Sequence, residues 1–126
     1  MQATIVSVRG ALREPLLREP LPGPVRRCVA LIEAKSHERI TLDEMAESAR
    51  WSKYYLVCSF KRALGVSPCA YLMHERVARA CRLLRDGTSP TQVAAECGFA
   101  DQSHLNRWFK RLLKTTPAVY ARVHGA

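Results

Sequence analysis

One phrase of this 126-residue chain occurs twice, and that constrains the fold more than any other feature. LDEMAESARWSKYYLVCSFKRALGVSP comes back, altered, as PTQVAAECGFADQSHLNRWFKRLLKTTP. Met45, Ala46 and Trp51 recur as Val93, Ala94 and Phe99, each 48 positions on, as in 99 − 51. Beyond that corner the interval is 49, as in 105 − 56. Leu56, Phe60, Lys61-Arg62, Leu64, Pro68 and Tyr71 return as Leu105, Phe109, Lys110-Arg111, Leu113, Pro117 and Tyr120, so one residue is inserted in the second corner. Agreement at so many spaced positions marks a duplicated supersecondary unit.

Each copy reads as helix, corner, helix. Thr41 is placed to cap Leu42–Ala49, with Glu44 completing a capping box, and Ser52 to cap Lys53–Leu64 ahead of the stop at Gly65. In the second copy Ser89 caps Pro90–Cys97, Gly98-Phe99 makes the corner, and Gln102–Leu113 follows. Lys114 stands where the first copy has Gly65, so the second copy lacks the usual glycine stop. Between the copies, Ser67 and Pro68 open a helix with no internal breaker, and Gly87 closes it. From Pro68 to Asp86 this is a rod of about 28 Å. Tyr71, His74, Val77, Ala78, Cys81 and Leu84 form its apolar stripe, while Arg76, Arg79 and Arg82 read as solvated or as additional phosphate contacts.

Val25, Cys28, Val29, Leu31 and Ile32 trace one side of a helix from Pro24 to about Ser36, a lid on the first unit, with Arg26 and Arg27 facing away. A last helix runs Pro117–Val123. The expectation is an all-α fold of about seven helices, two helix-turn-helix subdomains joined by a long central helix. In domain terms, 1–24 is a proline-broken tail or linker, and 25–122 holds the first helix-turn-helix at 42–64, the linker helix at 68–86 and the second helix-turn-helix at 90–113. Residues 123–126 form a C-terminal tail.

A formal charge of +9 implies an anionic partner, and its distribution narrows the choice. No carboxylate occurs between Glu47 and Glu75 or after Asp101, whereas those windows hold Arg50, Lys53, Lys61, Arg62, Arg107, Lys110, Arg111, Lys114 and Arg122. Five cysteines without a C-x-x-C pair argue against a disulfide framework or a zinc cluster, and the four histidines lack ligand spacing, so neither metal nor cofactor is expected. There is no spaced carboxylate pair, activated nucleophile or glycine-rich phosphate loop, which argues against an enzyme. The N-terminus has no apolar run for a signal peptide or a membrane span, and a cytoplasmic, nucleoid-associated protein is the expectation.

A short helix, a tight corner and a second helix with basic and amide residues on its free face is the composition of a helix-turn-helix. With Leu56 and Phe60 as anchors, Tyr54, Val57, Cys58 and Lys61 face the groove in the first copy. With Leu105 and Phe109 as anchors, Ser103, Asn106, Arg107 and Lys110 face it in the second, with Gln102 near the helix start. Asn, Gln and Arg can each pair with base edges, whereas Val57 and Cys58 offer at most contact with a thymine methyl. The base-reading candidates are therefore Tyr54, Val57, Cys58, Gln102, Ser103, Asn106 and Arg107. The phosphate candidates are Lys53, Lys61, Arg62, Lys110 and Arg111.

From about Val25 to Arg122 the chain resembles the DNA-binding domain of the AraC/XylS family of bacterial transcription regulators, most specifically through VAAECGFADQSHLNRWFKRLLKTTPAVY. The resemblance implies binding to asymmetric promoter sites on double-stranded DNA, usually with activation through RNA polymerase. Two such units on a rod of about 28 Å can place their second helices near the roughly 34 Å spacing of successive major grooves, so a monomer spanning two grooves is the expectation. The resemblance also implies that Met1–Pro24 is too short for the sensing domain many relatives carry, so the chain reads as a stand-alone member or a piece of a longer regulator. Two other readings stay open: a non-specific nucleoid protein, and an interaction module or truncated regulator that antagonises a full-length relative.

Overall fold

The computed structural model describes residues 21–125, and most of the expected tail or linker, residues 1–20, lies outside them. Seven helices and no strand occur among the described residues: α1 (Gly23–Lys35), α2 (Leu42–Ala49), α3 (Lys53–Leu64), α4 (Pro68–Arg85), α5 (Pro90–Glu96), α6 (Gln102–Leu113) and α7 (Pro117–His124). The all-α reading holds, with most helix ends within a residue of those expected. Local chemistry explains the boundaries. Thr41 Oγ1 accepts from the Glu44 N–H at 3.1 Å while Glu44 Oε1 accepts from the Thr41 N–H at 3.4 Å, the reciprocal pair of a capping box. Ser52, Ser67, Ser89 and Thr116 cap α3, α4, α5 and α7 through their hydroxyls. Each such cap contributes about 1 kcal/mol.

Two left-handed residues end helices in each copy, at matching positions. Arg50 (φ 60) answers to Gly98 (φ 87), and Gly65 (φ 82) to Lys114 (φ 62). The second copy therefore stops where the first does, without the glycine: the Lys114 N–H still donates to the Lys110 carbonyl, and the backbone carries the strain of a β-carbon in the left-handed region.

Side chains form two cores rather than one, divided along α4. Met45, Ala46, Ala49, Leu56, Phe60, Leu64, Tyr71 and Leu72 pack with Val25, Cys28, Val29 and Ile32 of α1. Val77, Ala80, Cys81 and Leu84 pack with Val93, Ala94, Leu105, Phe109, Leu113 and Tyr120. Met73 touches both clusters. The repeat extends to the aromatic pairs: Phe60 meets Tyr71 edge-on at 5.6 Å and 72°, and Phe109 meets Tyr120 at 5.4 Å and 72°. It also reaches further back than the sequence suggests. Val25, Cys28, Val29 and Ile32 have counterparts in Val77, Ala80, Cys81 and Leu84, each 52 residues on, as in 77 − 25. The second half of α4 does for the second core what α1 does for the first, so α1 is the first helix of a three-helix unit and not only a lid.

One expectation is corrected. Arg76 is neither solvated nor available to DNA: it is only 6% exposed, and its guanidinium donates to the Ser36 and Glu38 carbonyls at 2.8 and 2.9 Å. Arg27 is also engaged, donating to the last carbonyls of α2, Ser48 and Ala49. Both carry positive charge to helix or turn ends where carbonyls lack intrahelical partners.

Candidate nucleic-acid interface

The anchors and free faces of α3 and α6 separate as the helical period requires. Leu56, Phe60, Leu105 and Phe109 are fully buried. Tyr54, Cys58, Lys61 and Arg62 on α3 are exposed, as are Gln102, Ser103, Arg107, Lys110 and Arg111 on α6. Val57 and Asn106, at equivalent positions, are half-buried, which places them at the edge of the free face, not its crest.

The corner that sets each second helix is built alike. Ser52 accepts from the Tyr55 N–H at 3.2 Å, and Asp101 from the His104 N–H at 2.8 Å. Trp51 lies 5.4 Å from Tyr55, and Phe99 lies 5.4 Å from His104, edge-on. The residue inserted in the second corner, Ala100, donates its N–H to His104 Nδ1 at 3.2 Å, which absorbs the extra length. That bond requires Nδ1 to be unprotonated. Burial lowers the His104 pKa, and the cations Arg107 and Arg76 lower it further against the opposing pull of Asp101.

Several candidates have protein partners already. Lys53 Nζ sits 3.0 Å from Asp43 Oδ1, a largely exposed pair. Such pairs stabilise little and exchange readily for a phosphate. Gln102 Oε1 accepts from the Thr91 hydroxyl at 2.8 Å, which fixes its side chain across the corner with its amide N–H₂ as the group left to donate. Arg111 lies 5.0 Å over the Trp108 ring. On α3, Tyr54, Tyr55, Cys58, Ser59 and Arg62 line a shallow groove, and Tyr54, 79% exposed, is the most exposed large hydrophobic side chain of either second helix.

Residue-by-residue reading of the sequence missed Asp101 and His104. Asp101 could have been found from the cap rule, since it directly precedes the helix and has a backbone N–H three residues on to accept from. His104 could not, because its role comes from the inserted Ala100 and the facing Phe99. Cys28, Cys81 and Cys97 are buried, and burial raises their thiols to about 12, 11 and 11, while Cys58 and Cys69 are exposed. Among the described residues no cluster of His, Cys, Asp or Glu could hold a metal ion, and no helix is long and apolar enough to cross a membrane.

Comparison with known proteins agrees with this geometry. A family model described as a helix-turn-helix domain matches residues 45–122. Over 81 residues the chain is 36% identical to YbfI, an HTH-type transcriptional regulator of Bacillus subtilis, covering 64% of this chain and 30% of YbfI. Over 110 residues it is 32% identical to the transcriptional activator RhaS of Escherichia coli, covering 84% of this chain and 40% of RhaS. The chain thus spans less than half the length of either relative. Among solved structures, the C-terminal domain of the response regulator AraT from Geobacillus stearothermophilus superposes with a TM-score of 0.77 at 28% identity, covering 86% of this chain and 91% of that one. The DNA-binding domain of the global transcriptional factor AdpA, solved with a target DNA, gives a TM-score of 0.74 at 30% identity, covering 81% and 93%. With two equivalent helix pairs, each second helix turning a basic face outward, and these likenesses over most of its length, the chain belongs to the AraC/XylS family of helix-turn-helix DNA-binding domains.

Proposed function

We propose that this chain is the sequence-reading part of a transcription regulator, binding promoter DNA as a monomer with α3 and α6 in two successive major grooves. The observation that carries the reading is the equivalence of the two copies. The same anchors are buried, and the same basic pair, Lys61-Arg62 and Lys110-Arg111, is exposed at the same turn of each second helix. Two equivalent probes on one chain can occupy neighbouring grooves about 34 Å apart, as the two halves of a symmetric dimer do. Support for a DNA partner comes from the AdpA domain, which was solved on its target.

In this reading α6 specifies and α3 positions. Arg107, Asn106 and the donor end of Gln102 are bidentate-capable groups for guanine and adenine edges, with Ser103 beside them. Tyr54, Val57 and Cys58 provide apolar contact, chiefly with thymine methyls. Lys53, Lys61, Arg62, Lys110 and Arg111 hold phosphates and set register. Activation through RNA polymerase, in a bacterial cytoplasm, is the regulatory role that the family resemblance and the RhaS relative favour.

Selection from random duplex DNA followed by footprinting tests the proposal. The expected result is an asymmetric site with two protected stretches one helical turn apart, favoured over bulk DNA by at least about a thousandfold. Uniform protection without a selected sequence would instead identify a non-specific packaging protein.

A further inference from the structure

Arg76 lies midway along α4, where the two cores divide, and what surrounds it comes from both units. Its Nε donates to the Ser36 carbonyl at 2.8 Å and its terminal nitrogen to the Glu38 carbonyl at 2.9 Å, so it grips the turn that joins α1 to α2 in the first unit. The corner of the second helix-turn-helix lies against both that turn and Arg76. A methyl group added at Gly98 would sit 3.0 Å from the His37 carbonyl oxygen and 3.1 Å from Arg76 Nε, closer than ordinary van der Waals contact, so the turn and the guanidinium would have to give by a few tenths of an ångström. Gly98 also has a φ of 87°, so glycine meets two demands at once. His104, in the first turn of α6, feels the Arg76 charge as well.

We propose that Arg76 is a positioning residue that clamps the α1–α2 turn of the first unit against the Gly98 corner of the second, and thereby fixes the separation and angle at which α3 and α6 are presented to DNA. α4 joins the two small cores at its middle, and the Arg76 hydrogen bonds hold in place the turn of the first unit that lies against Gly98 of the second. The guanidinium suits the task because its planar fork satisfies two carbonyls in fixed directions, which an ammonium on a flexible stem does not. The clamp's consequence for DNA rests on the two-groove reading above, whereas its mechanical part does not.

Two measurements on Arg76→Met and Arg76→Lys separate these layers. In the first, affinity is measured for the selected site and for the same site with one base pair inserted between its halves, which moves one half by about 3.4 Å. Wild type should discriminate strongly between them. Arg76→Met should bind the selected site about tenfold or more weakly, because its two probes no longer act at a fixed effective concentration, and it should discriminate less between spacings. Arg76→Lys should fall between. In the second, spin labels on Cys58 and on an Ala118→Cys substitution, in a Cys69→Ser background, report the distance between the units without DNA. Arg76→Met should broaden that distribution while helicity is retained.

Unchanged spacing discrimination together with an unchanged label distance would overturn the clamp. If wild type itself ignores the inserted base pair, the two-groove reading falls and the label distances alone decide: broadening sustains the clamp, and no change removes it. Should Arg76→Met not fold, the same two measurements on Arg76→Lys decide in the same way.

Discussion

Salt dependence of DNA binding distinguishes residues that hold phosphates from residues that read bases, and the structure supplies the number. Five exposed cations, Lys53, Lys61, Arg62, Lys110 and Arg111, flank the free faces of α3 and α6. If each neutralises one phosphate, the logarithm of affinity falls against the logarithm of salt with a slope of about −4.5, so raising salt from about 50 to about 200 mM weakens binding roughly 500-fold. Lys53 must first leave Asp43, 3.0 Å away. That exchange cancels part of its contribution, and with four cations the slope would be about −3.6 and the loss roughly 150-fold. Lys110→Ala should lower the slope by about 0.9 and weaken all sequences alike. Arg107→Ala should leave the slope in place and lose about 1–3 kcal/mol at one base position, so that competing sequences close the gap. Fluorescence anisotropy of a labelled selected site, titrated across that salt range for each variant, measures both quantities. A slope that flattens with Arg107→Ala and not with Lys110→Ala would refute the division of roles.

Lys114→Gly should stabilise the fold by roughly 0.5–1 kcal/mol, since relief of a left-handed β-carbon, about 1–2 kcal/mol, exceeds the added entropy of an unfolded glycine, about 0.4–1 kcal/mol; a fall in melting temperature would contradict this. Phe109→Ala should cost about 3–5 kcal/mol, and because the cores are divided along α4, hydrogen exchange should accelerate far more in α5–α7 than in α1–α3; uniform acceleration would mean that the two cores melt as one. Burial lowers the pKa of both His74 and His104, so the unfolded chain takes up these protons first as pH falls. Stability should therefore be intact above the unfolded value of 6.5 and should decline as pH falls below it, until the folded-state histidines protonate too. Melting curves between about pH 7.5 and 5.5 check this, and His104→Gln, which removes one of the two titrating groups, should shrink the decline.

The sequence by itself determined the repeat, the helices and their free faces. Caps, apolar spacing and breakers are local properties, and a three- to four-residue period fixes which side of a short helix is buried once its anchors are known. Thus Leu56 and Phe60 were legible as core, and Arg107 and Lys110 as surface, without coordinates. Arg76 was misread for the same reason: an arginine on a helix is ordinarily solvated, and nothing within α4 shows that the 36–38 turn will supply two carbonyls from some forty residues away in sequence. The second role of α4, standing in for α1 in the second core, was equally hidden, because its interval of 52 residues differs from the 48 and 49 of the rest. Only the tertiary structure decided how the two units sit against each other, since that depends on polar groups distant in the chain meeting at one buried point.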